Sequence, residues 1–129
     1  MITTLARPDD LICPAQEIFD EPATSAALAR AVNEAEGDMT ALRRAAVGIL
    51  SERMKSGRTA IAEAFAERPF DARPATRAYC WLTDCIILSA LDLATRVMHP
   101  LPNPTESERI AVFAVGGYGR GEMAPFSDV

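Results

Sequence analysis

Four glycines within six residues, Gly116, Gly117, Gly119 and Gly121, follow directly on an unbroken apolar run from Ile110 to Val115, and Ser127 and Asp128 come shortly after. Glycine at that density lets main-chain N–H groups approach a ligand closely, which is what a phosphate-cradling turn requires. A serine hydroxyl adds one more donor, and a carboxylate supplies the hard oxygen that Mg²⁺ prefers. Together these residue types suit the handling of a polyphosphate. Glycines and an acid alone would equally describe a mobile turn and a surface carboxylate, and Arg120 is placed either to meet a phosphate or to pair with Glu122.

Strand, glycine pair, ten intervening residues ending in Ser127, and then Asp128 before an apolar Val129 resembles the signature of the nucleotidyltransferase superfamily related to DNA polymerase beta. More narrowly, Gly-Gly-Tyr-Gly-Arg-Gly-Glu-Met followed by Pro125, Ser127, Asp128 and Val129 looks like the bacterial protein-PII uridylyltransferase family. That resemblance implies transfer of UMP from UTP to a tyrosine of the PII nitrogen regulator, and its hydrolytic removal at a separate site under glutamine control. It also implies that Gly116, Gly117 and Ser127 contact the nucleotide phosphates and that Asp128 is catalytic, as a Mg²⁺ ligand. The second carboxylate of the family's Asp-x-Asp pair would fall beyond Val129. The expectation is therefore a piece of a longer enzyme, incompetent by itself because one metal-binding carboxylate stands where at least two are needed.

Two other classes compete. Gly119-x-Gly121-x-x-Ala124 formally fits a dinucleotide fingerprint, but its first glycine should follow the strand at once, and Pro125 would break the helix that must come next. A helical module acting through protein contacts, with an unstructured glycine-rich tail, is the non-enzymatic alternative. An adenylyl-transferring relative is a nearer rival, since none of the residues here reads the base.

The elements that must position the turn are helical. Residues 1–22 contain Pro8, Pro14 and Pro22 with no sustained period and read as an irregular or disordered leader. Thr24-Ser25 is placed to cap a short helix carrying Leu28 and Val32 on one side, ended by Gly37. Asp38 or Thr40 opens a longer helix with one apolar stripe through Met39, Leu42, Ala46, Ile49, Leu50, Met54, Ile61 and Phe65. Ser56-Gly57 allows a kink or a break in it, and Pro69 stops it. From about Ala75 to Met98 the chain is apolar on most sides, which predicts the most buried helix; Arg77, Asp84, Asp92 and Arg96 gather into a narrow solvated stripe. Asp84 and Asp92 inside that run argue against a membrane span. Pro100, Pro102 and Pro104 mark a connector.

The fold class predicted is mainly α: leader 1–22, helical region 23–98, Pro-rich connector 99–108, and at 109–129 the first strand and Gly-rich turn of an α/β nucleotidyltransferase domain. With no partner strand at hand, Ile110–Val115 is expected to fray or self-associate.

Composition narrows the function further. Hydrophobic residues at 49% and charged ones at 24% describe a globular chain rather than a disordered one. The net charge is −5, with eight acids against Arg7 and Arg30 in residues 1–38, so no basic face is available for nucleic acid. Met1–Ala6 lacks the basic start and long apolar run of a signal peptide. Cys80 and Cys85 point about 140° apart on a helix, and Cys13 is left over, so reduced thiols and a cytoplasmic setting are expected. His99 has no second ligand beside it, Trp81 and Tyr79 read as core, and the arginines of the long helix read as a solvated face.

Overall fold

The computed structural model describes residues 7–102 and 110–127. Among the described residues five helices are present: α1 (Ala15–Ile18), α2 (Glu21–Ala35), α3 (Met39–Glu67), α4 (Ala72–Leu93) and the single turn α5 (Gly116–Gly119), with α4 widening into a π-helical turn at Ala94–Met98. α3 packs against both α2 and α4, and α1 touches α3 and α4.

The helix ends follow from local chemistry. The Asp20 carboxylate accepts from Ala23 N at 3.0 Å, so α2 begins at Glu21, with Pro22 in its first turn and ahead of the expected Thr24-Ser25 cap. The Thr24 hydroxyl instead turns inward and donates to Asp20 O at 2.7 Å. Glu36 and Gly37 take left-handed backbone angles (φ 47° and 89°) and reverse the chain. Asp38 then caps α3 by accepting from Thr40 N and Ala41 N at 3.0 and 3.1 Å.

Gly57 does not break α3, which runs through it as one 29-residue helix. The residue is buried where α3 meets α1 and α4: a Cβ there would stand 2.7 Å from Leu82 Cδ1 and would also run into the Ile18 carbonyl. Glycine is needed at this crossing for closeness of approach.

α4 is the most buried element, as its composition predicts, with Ala78, Tyr79, Leu82 and Thr83 among its buried residues. By length and hydropathy alone Ala72–Met98 is long enough to cross a membrane; here its apolar side packs on α3 and α1. Two cores result. The larger joins Ile18, Ile61, Ala78 and Leu82 to Ile12 and Met123, and the smaller joins Ala31, Leu42, Ala46 and Leu93.

Three expectations need correction. The described part of the leader, from Arg7, is not idle: it forms α1 and the start of α2, and buries Ile12, Ile18 and Phe19. Arg68 donates to Ile12 O and Arg77 pairs with Asp10, fastening this segment to the ends of α3 and α4. Second, the expected strand at Ile110–Val115 is not seen, and no strand occurs among the described residues. A ladder needs a neighbouring backbone, and Phe113 and Val115 are instead 81% and 76% exposed. Third, where a Gly-rich turn is expected, Gly116–Gly119 forms one turn of helix. The connector is described only as far as Pro102, and the rest of it, to Glu108, lies outside the described residues, as does Arg109.

Candidate functional site: the glycine turn on α4

Val115 enters the turn in extended conformation, and Gly116 reverses it with φ 62°. The turn is closed by its own hydrogen bonds: Gly119 N to Val115 O at 3.0 Å, Arg120 N to Gly116 O at 3.1 Å, and Glu122 N to Gly117 O at 2.8 Å. Gly119 is required by close approach, since a Cβ there would lie 2.5 Å from Ala114 O. Among the described residues, the amides of Gly116 and Gly117 have no backbone acceptor. They stand at the open end of α5, where a helix leaves its first N–H groups unused.

Of the site residues expected from sequence, Gly116 and Gly117 lie together at this end. Ser127 belongs to a second turn: its hydroxyl oxygen accepts from Ala124 N at 2.9 Å and its amide donates to Ala124 O at 3.1 Å, and among the described residues the hydroxyl proton has no acceptor. Asp128 lies outside the described residues. Arg120 pairs with Glu122 at 3.2 Å, both side chains 66% exposed, an ion pair of small energetic consequence.

Two residues not anticipated from sequence tie the turn down. Tyr118, between the glycines, donates its hydroxyl to Asp84 Oδ1 on α4. Met123, only 1% exposed, enters the larger core, and its backbone meets the Cys80 thiol. Burial raises the Asp84 pKa above its ordinary value, partly countered by the Tyr118 hydrogen bond, and burial followed by the Asp84 contact raises that of Tyr118. Asp84 is therefore a half-buried acceptor rather than part of a solvated stripe. An apolar residue two places beyond a glycine run, and a tyrosine within it, are the signals that could have pointed to this anchoring.

Among the described residues no group of three or more His, Cys, Asp or Glu side chains is placed to hold a metal ion.

The arrangement defines a class: a helical platform carrying a glycine-rich turn with amides at its open end. Comparison with known proteins gives the family. The chain is 57% identical to the bifunctional uridylyltransferase/uridylyl-removing enzyme of Ruegeria pomeroyi over 112 residues, 87% of this chain. It is 45% identical to the enzyme of the same name from Cereibacter sphaeroides over 92% of its length, and 38% identical to that of Erythrobacter litoralis over 81%. No protein-family model and no solved structure matches it. By sequence the chain belongs to the bifunctional uridylyltransferase/uridylyl-removing enzymes, and it spans only 11 to 13% of the length of these relatives.

Proposed function

We propose that this chain is part of a cytoplasmic enzyme that transfers UMP from UTP to the PII nitrogen regulatory protein, and that the whole protein also removes UMP by hydrolysis under glutamine control. The observation that carries the reading is the 57% identity to a bifunctional uridylyltransferase/uridylyl-removing enzyme across 87% of the chain. In the transfer step an acceptor tyrosine oxygen attacks the α-phosphorus of UTP, the bond to the bridging oxygen breaks, pyrophosphate leaves and the tyrosine proton passes to solvent or a base.

Gly116 and Gly117 are the residues that meet the nucleotide phosphates, supported by their position at the open end of α5 and by amides that lack a backbone acceptor among the described residues. Ser127 adds its hydroxyl proton. Asp128 is a metal ligand, and the Mg²⁺ it helps to hold would supply charge stabilisation when bound; the remaining ligands belong to the rest of the enzyme. The exposed apolar segment Ile110–Val115 would become the first strand of the α/β nucleotidyltransferase domain only when paired with strands that the same remainder supplies. Exposure of Ile110, Phe113 and Val115 at 65%, 81% and 76% supports this, because such a surface gains by being covered.

The test is UTP-dependent labelling of a PII protein by the full-length enzyme and by these 129 residues alone. Labelling by the former and none by the latter is expected. Absence of labelling by the full-length enzyme would overturn the function, and labelling by the short chain would overturn its incompetence.

A further inference from the structure

Helix α4 and the glycine turn are far apart in sequence and meet at two points. Tyr118 donates to Asp84, and Met123 is seated in the core beside Cys80. Asp84 is half-buried between Thr83, which is buried, and Cys85, and among the described residues no cation pairs with it. A carboxylate held in such surroundings is costly unless it accepts a hydrogen bond, and the Tyr118 hydroxyl is the donor it meets. An ionised acceptor makes this a stronger bond than a neutral one would.

Tyr118 is the third residue of α5, whose backbone is closed on itself by the bonds from Gly119, Arg120 and Glu122. The turn therefore moves as a unit, and whatever fixes Tyr118 fixes the direction of the Gly116 and Gly117 amides. We propose that Asp84 is a positioning residue for nucleotide binding: by holding the Tyr118 hydroxyl it sets the glycine turn on α4 in the orientation that meets phosphate. The proposal rests on the reading of Gly116 and Gly117 as phosphate contacts. It assigns the helical region a part in the transfer reaction that none of the motif residues reveals.

The experiment uses the full-length enzyme with D84A, D84N, Y118F and the double variant D84A/Y118F, measuring KM for UTP, kcat, uridylyl removal and hydrogen exchange of residues 114–122. Loss of a hydrogen bond to a charged group predicts that D84A and Y118F raise KM for UTP about tenfold and speed exchange in the turn. The double variant should be no worse than either single one, because both remove the same interaction. D84N keeps an oxygen that accepts the phenolic proton and should stay within about threefold of the parent. Uridylyl removal unchanged in all four reports an intact fold. Unchanged KM and unchanged exchange in D84A, or single effects that multiply in the double variant, would overturn the proposal. If the parent enzyme transfers no UMP, the function reading fails, and exchange in the turn alone decides whether Asp84 holds it.

Discussion

The hydroxyl of Tyr118 donates to the carboxylate of Asp84, joining the glycine turn to the middle of α4. Burial raises the Asp84 pKa above 3.8, and the Tyr118 hydrogen bond only partly offsets that rise. The folded chain thus holds the Asp84 proton more tightly than the unfolded chain does.

Between the unfolded carboxylate value and the raised folded one, the native state binds more protons, so this group makes stability fall as pH rises through that window and contributes no further change above it. Replacing Asp84 by Asn removes the contribution. Urea midpoints of parent and D84N compared between about pH 3 and pH 7 should show the difference moving in favour of D84N as pH rises. A difference that moves the other way would mean that the hydrogen bond outweighs burial.

Gly48 and Gly57 both lie within α3 and should respond oppositely to alanine. Gly48 is exposed, and a Cβ added there would have nothing within 4 Å, so Gly48→Ala should gain roughly 0.5–1 kcal/mol from helix propensity. Gly57→Ala would press on Leu82 and the Ile18 carbonyl, and should lose about 1–3 kcal/mol by overpacking. Denaturation midpoints of the two variants check both signs; a stabilised Gly57→Ala would show that α1 does not lie where described.

The thiols should be sluggish. Burial, followed by the charges of Asp84 and Glu21, pushes Cys85 up to about 12, and burial raises Cys80 and Cys13 as well. Because the thiolate is the reacting form, an aromatic disulfide reagent at neutral pH should titrate these cysteines slowly in the folded chain and rapidly in urea. Rapid reaction of Cys85 in the folded chain would contradict its placement.

Much of the helical framework is legible in the sequence because it rests on local rules. The apolar stripe of α3, the stop at Gly37 and Pro69 and the buried character of α4 all follow from spacing and backbone chemistry. What escapes such a reading depends on neighbours distant in sequence. Ile12, Ile18 and Phe19 look unexceptional in a proline-rich stretch, yet are buried because α3 and α4 offer them a surface. Gly57 reads as a helix breaker until Leu82 is seen across from it. Ile110–Val115 has the composition of a buried strand, but a strand is a relation between two backbones, and the described residues provide one.

The site divides in the same way. Gly116, Gly117 and Ser127, the proposed phosphate contacts, are singled out by motif spacing, whereas the Tyr118–Asp84 contact spans the connector and carries no periodic signal. The pattern of its own helix puts Asp84 on the solvated side; the turn that covers it comes 34 residues later.

Asp128→Asn in the full-length enzyme tests the central claim most directly, since it removes one proposed metal-binding charge and changes little else. The account predicts that UTP-dependent labelling of PII falls by about a hundredfold or more, while hydrolytic removal of UMP from labelled PII, performed at a separate site, persists. Transfer retained within a few-fold of the parent would contradict the account, because the residue assigned to the metal would then have no part in the reaction.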